Sequence, residues 1–165
     1  MKTLALRAAI GLLCSLPALA LAAGTLALPK TAPYHKDLDV RENIKTECKL
    51  DQNLMQFVET YAKQNFDKIV MVDKVGPKTK GQALAVTIMH VEAVGGGPWS
   101  GKKSVTVEGT LYNNGKAVGN FRGMRQTKGG YKTCANLNHI AKSLGKDIGG
   151  WLKNPVKDAR LGDLK

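Results

Sequence analysis

The sequence predicts an α+β fold: a single domain in which about four antiparallel strands form a sheet packed on one face by two helices. Three observations predict it. Apolar residues recur at helical spacing twice, once after Asp51 and once after Thr133. β-Branched, strand-like segments fill the interval between those two stretches. Within that interval Asn114-Gly115 separates two alternating segments, which is the signature of a tight hairpin.

Residues 1–23 read as a signal peptide. Lys2 and Arg7 form a basic start, an apolar run covers residues 8–21, and Ala18, Ala20, Ala22 and Ala23 offer A-x-A-like cleavage choices. The cut is expected near Ala22 or Ala23, with Ala27 as a further option. A run of about 14 apolar residues is short of the ~20 that a spanning helix needs. Cys14 lies behind Leu13 and deep in the run, so it does not fit a lipobox. The mature protein is therefore expected to be periplasmic or secreted, with no transmembrane segment.

Residues 24–37, with Pro29 and Pro33, read as an extended N-terminal segment leading into an α+β domain over 38–155. A short strand is expected between 38 and 48 from Leu38, Val40 and Ile44. A first helix is predicted over 51–65, where Leu54, Phe57, Val58, Tyr61 and Ala62 share a face, Asp51 can cap, and Glu59–Lys63 is a favourable i,i+4 pair. Residues 68–75 form a short strand stopped by Gly76-Pro77. A long central strand over 82–94 puts Leu84, Val86 and Ile88 on one face and Ala85, Thr87, Met89 and Val91 on the other. After a glycine-rich loop at 95–101 come the hairpin strands, 103–113 and 116–126, in a register that would set Glu108 opposite Phe121. The last helix starts near Thr133, carries Leu137, Ile140, Ala141, Leu144, Ile148, Trp151 and Leu152, and is ended by Pro155. Gly145, Gly149 and Gly150 weaken it, so they mark close packing against the sheet or an early end near Gly149. Residues 156–165 read as a frayed, charged tail.

The formal net charge is +12. The leader holds two of the cations and no acid, so the remainder carries two fewer, +10. Its cations are lysines except for Arg41, Arg122, Arg125 and Arg160. Lysine is a hydrated point charge, so this bias suits diffuse attraction to polyanions better than shaped recognition of one phosphate. For an exported protein such anions are lipid head groups, lipopolysaccharide, cell-wall acids or extracellular nucleic acid. Beyond the leader two cysteines remain, Cys48 and Cys134, and an even count in an oxidising compartment points to a disulfide. Free thiols and a metal site are the other readings, but His35, His90 and His139 fall in three separate segments, and no metal or cofactor is expected.

Gly96, Gly101 and Lys102 match three of the four defining positions of a phosphate-binding P-loop, but Lys103 stands where the magnesium-binding hydroxyl belongs and a strand follows instead of a helix. No nucleotide is therefore expected. Ser100 lies on no G-x-S-x-G elbow. His90 and Glu92 share a strand face and form the one acid and base candidate pair. Trp99 at the loop tip, with Lys102 and Lys103 after it, is a candidate anionic-ligand contact unless the ring folds back as a lid on the core. Lys142 and Lys146 lie opposite the apolar stripe of the last helix, where they suit an anionic surface or simply face water.

The segment VEGTLYNNGKAVGNFRGMRQTKGG, followed by TCANLNHIAKSLGKDIGGWL with its I-x-x-W-L end, resembles the closing hairpin and helix of small uncharacterised proteobacterial envelope proteins. Broader relatives are periplasmic α/β domains of outer-membrane secretion and assembly accessory factors. The chain departs from them in lacking a lipobox cysteine and an apolar first strand. The resemblance implies an envelope role and brings no catalytic residues. The expected function is that of an exported, non-enzymatic binding or accessory protein for anionic partners. The alternatives are a small secreted hydrolase or toxin, and an inhibitor or immunity-type partner of another exported protein, which would show an apolar patch on the uncovered sheet face.

Overall fold

The computed structural model describes residues 24–93, 101–129 and 132–164. The elements in chain order are β1 (Thr25–Pro29), α1 (Glu42–Thr46), α2 (Leu50–Ala62), β2 (Lys68–Val72), β3 (Gln82–Ala93), β4 (Lys103–Asn113), β5 (Lys116–Thr127), α3 (Thr133–Trp151) and β6 (Ala159–Gly162). They build one six-stranded sheet in the order β2-β1-β3-β4-β5-β6. The α+β class stands, with two corrections: there are six strands, not about four, and the sheet is mixed. β1 is parallel to β2 and β3, and β6 is parallel to β5, while β3, β4 and β5 form an antiparallel meander. The parallel pairs follow from connectivity, since a helix lies between β1 and β2 and another between β5 and β6, and such crossovers return the chain in the same direction.

Both added strands come from segments that read as irregular. The extended lead-in contains β1, which lies inside the sheet with Leu26 and Leu28 fully buried. The chain thus has the short apolar first strand that it was expected to lack, and Pro29 is its last residue. The supposed frayed tail contains β6, pinned by Leu161 against Gly123 and by reciprocal bonds between Asn120 and Asp158. The strand expected at 38–48 is instead the single turn α1, with Ile44 buried in it and Val40 buried just before it.

The helix faces behave as their spacing requires. Leu50, Leu54, Met55, Val58 and Ala62 of α2 are buried, as are Leu137, Ile140, Ala141, Leu144 and Ile148 of α3. Each large aliphatic side chain among them contributes roughly 1.5–3 kcal/mol by leaving water. α2 starts at Leu50 behind Lys49 in the left-handed region (φ 47°), so Asp51 sits inside the first turn and is not the cap. The N-cap position of α3 is Lys132, which makes no side-chain capping bond, so Thr133 lies inside the first turn and is not the cap. The helix runs on through the glycines to Trp151, so Gly149 does not end it. Cys48 and Cys134 form the expected disulfide, with Cα atoms 4.8 Å apart, and tie the α1–α2 junction to the first turn of α3.

The hairpin turn has Asn114 at φ 49° and Gly115 at φ 83°, and Asn113 pairs with Lys116 as a two-residue loop demands. Two residues further on, the register slips. Leu111 pairs with Gly119 and not Val118, so Val118 is a bulge, and every later β5 side chain changes face. A second slip between Ile88 and His90 does the same in β3. Glu108 consequently faces Arg122 instead of Phe121, and Phe121 turns to the helix side, where its ring meets Trp151 edge-on at 4.9 Å. Val91 also moves to the helix side, away from the face expected for it.

Candidate functional site

The predicted contact residues do not converge. Trp99 lies outside the described residues, with the rest of 94–100. Lys102 is exposed at the start of β4, whereas Lys103 is fully buried and its Nζ donates to the Gly101 carbonyl at 2.7 Å. Lys103 is therefore not a surface cation, because its side chain lies on the helix-covered face of the sheet together with Val105 and Val107. Lys142 and Lys146 are exposed on the outer side of α3, away from the sheet. His90 and Glu92 do share the uncovered face, paired with Thr106 and Ser104 on β4. They also border one depression of about 440 Å³ with Asp39, Arg41 and Ile44. The Glu92 carboxylate accepts from Ser104 Oγ at 3.1 Å, and Arg41 Nη2 donates to the Ala93 carbonyl beside it.

The four arginines beyond the leader divide into two roles. Arg125 is structural: its Nε and Nη2 fork onto the Asp147 carboxylate at 2.7 and 2.9 Å, and Nη1 reaches Asp163 at 2.8 Å. These bonds, to Asp147 first, raise its pKa above the usual arginine value despite partial desolvation. Arg41 holds the end of β3. Arg122 and Arg160, by contrast, are paired neighbours on β5 and β6 and stand on the uncovered sheet face. They line a depression of about 660 Å³ with Glu108, Thr110, Asn120 and Asp158. Arg122 Nη1 lies 3.2 Å from Glu108 Oε1, and among the described residues Arg160 makes no ion pair. Two guanidinium forks side by side can hold a carboxylate, phosphate or sulfate in two-point fashion. Sequence reasoning missed this site, since the juxtaposition depends on β6 being a strand and on the Val118 bulge. The scarcity of arginine among so many lysines was the available signal.

On β4 the uncovered face is polar, with Ser104, Thr106, Glu108 and Thr110 pointing to it, whereas the β2–β1–β3 half of the same face carries Ala27, Val70, Val72, Ala83 and Ala85.

No family model and no curated protein matches the chain. Solved structures do match. The fold resembles that of PelC. A PelC dodecamer from Paraburkholderia phytofirmans superposes with a TM-score of 0.51 at 10% identity, covering 77% of this chain and 90% of that one. A second PelC dodecamer structure gives 0.52 at 15%, covering 81% and 92%. A Xanthomonas campestris protein of the DUF330 family gives 0.53 at 10%, covering 82% and 86%. At these identities PelC and the DUF330 protein share the architecture with this chain, and the comparison carries no residue roles across. Among the described residues no helix is long and apolar enough to cross a membrane, and no three His, Cys, Asp or Glu side chains cluster as a metal site would.

Proposed function

We propose that this chain is an exported, non-enzymatic binding or accessory protein of the cell envelope whose basic surface engages anionic partners. The observation that carries the reading is uncompensated surface charge. Ion pairs engage Lys30, Lys45 and Lys63, while Lys68, Lys78, Lys80, Lys116, Lys142 and Lys146 are exposed with no ion pair among the described residues. The signal-peptide pattern of residues 1–23 supports an envelope location. The test is retention of the purified protein on an anionic matrix across a salt series. Retention is expected at low ionic strength and should fall steeply with added salt. Absence of retention at low salt rejects the reading.

The hydrolase reading keeps one supporting observation, the depression bordered by both His90 and Glu92. Turnover of an ester, glycoside or peptide by the purified protein, abolished in His90→Gln, would transfer the assignment to it.

A further inference from the structure

Positive charge is concentrated at one end of the strand axis. β1, β2 and β3 begin at that end, the β4–β5 turn lies there, and α3 descends to it before the chain turns into β6. Lys68, Lys78, Lys80, Lys116, Lys153 and Lys157 are all exposed there, and none makes an ion pair among the described residues. The acids nearby are Glu59, which is paired with Lys63, Asp67, and Asp158, which is engaged with Asn120. The opposite end instead mixes its cations with Asp37, Asp39, Glu42, Glu47 and Glu92.

The lysine-rich end is a built surface. The Gly81 amide donates to Asn114 Oδ1 at 2.9 Å, and the Asn114 amide donates to the Gly81 carbonyl at 2.8 Å. Gly115 lies so close to the Pro77 carbonyl that a Cβ there would sit 2.4 Å from its oxygen. The loop at 73–81 and the hairpin turn thus form one docked unit that holds Lys78, Lys80 and Lys116 in fixed relation. Val156, 50% accessible, is the exposed large hydrophobic side chain of the described residues, and it lies beside Lys157 at this same end. The chain also enters the fold here: Thr25 pairs with Lys68 in the first rung of the β1–β2 ladder.

We infer that this end docks on an anionic lipid bilayer, with the ammonium groups on head-group phosphates and Val156 at their boundary. The inference rests on the basic-surface reading above and assigns it a location and a lipid partner. Exposed ammonium groups from four separate segments suit an extended layer of phosphates, and none of the depressions described above is lined by them. Lysine is the fitting residue, since a head-group layer demands point charges and not shaped forks.

The test is co-sedimentation of the protein recovered from cells with phosphatidylcholine vesicles made with and without phosphatidylglycerol, beside a soluble anionic polysaccharide in a competition assay. Binding is expected only with phosphatidylglycerol present. The triple variant Lys78→Gln/Lys80→Gln/Lys116→Gln should weaken it by about 100-fold, at roughly fivefold per lysine, with an unchanged melting temperature. The pair Lys36→Gln/Lys128→Gln, exposed at the opposite end of the strand axis, is the comparison variant and should bind like wild type. Loss in that pair but not in the triple variant overturns the location. Binding to the polysaccharide without binding to the vesicles overturns the lipid assignment and leaves the basic-surface reading intact. Binding to neither removes both.

Discussion

Arg125 ties three parts of the chain together. Its guanidinium joins β5 to Asp147 on α3 and to Asp163 beyond β6, and Asp163 in turn accepts from the Gln126 amide at 3.0 Å. Because the group is about one-third accessible, water screens the pairing, and replacement is expected to cost hydrogen bonds more than Coulomb energy. Arg125→Met should destabilise the protein by about 1–3 kcal/mol, read from the urea midpoint, and Asp163→Asn by less, since the Asp147 fork survives. Tyr34 behaves differently. Burial first, and the Asp51 carboxylate second, push its phenol up from 10.0 to about 12. The unfolded chain therefore loses this proton before the folded one, so the contribution is complete below pH 10 and is lost as pH rises toward 12. Stability of Tyr34→Phe should fall less steeply than wild type across that window in pH-dependent thermal melts. Its hydroxyl also finds no well-formed hydrogen bond, so the variant is expected to be no less stable at neutral pH.

At the scale of elements, the contact between α2 and α3 depends on missing side chains. A Cβ at Gly145 would lie 2.6 Å from Phe57 Cβ and 2.8 Å from its carbonyl carbon, and one at Gly149 would lie 2.5 Å from Tyr61 Cβ. These neighbours are backbone or sit next to it, so they cannot swing away. The glycines do mark close packing, but against the other helix and not against the sheet. Helix propensity alone would reward alanine at each by up to ~1 kcal/mol. Overpacking of about 1–3 kcal/mol outweighs that gain at Gly145 and Gly149. Gly150 has open space around its missing Cβ and is exposed, so propensity wins there. Chemical denaturation should accordingly show Gly149→Ala destabilised and Gly150→Ala stabilised, and equal effects in both would refute the close-contact account. The sheet shows a related dependence on glycine: Gly109 leaves the space that the Phe121 ring occupies, with its Cζ 2.4 Å from where a Cβ would be.

For the whole molecule, one covalent link spans an 86-residue separation and joins the starts of the helical layer. On chain-entropy grounds its removal in Cys48→Ser/Cys134→Ser should cost roughly 4–5 kcal/mol or somewhat less. Wild type treated with reductant should then unfold at the same urea concentration as the double variant. If reduction leaves the midpoint unmoved, the bridge does not hold the fold. At this scale too, the hairpin strands, both long helices and the cysteine pair were legible, because each carries a local signal: a period, a turn dipeptide or an even count. β1 and β6 were not. Five and four residues give a period too little length to register, and both strands are stabilised by neighbours far away in sequence.

The amino-acid sequence by itself determined the α+β class, the Asn114-Gly115 turn, the apolar faces of α2 and α3, and the lysine-dominated charge, since these depend on residues within a few positions of one another. Tertiary structure alone decided that the sheet is mixed and six-stranded, that Lys103 is interior, and that Glu108 meets Arg122. It also gathered lysines from four separate segments at one end of the molecule. The physical reason is register. A bulge of one residue inverts every side chain after it, and parallel pairing brings distant segments level, so the face and the end at which a charge emerges are set by partners that no local window contains.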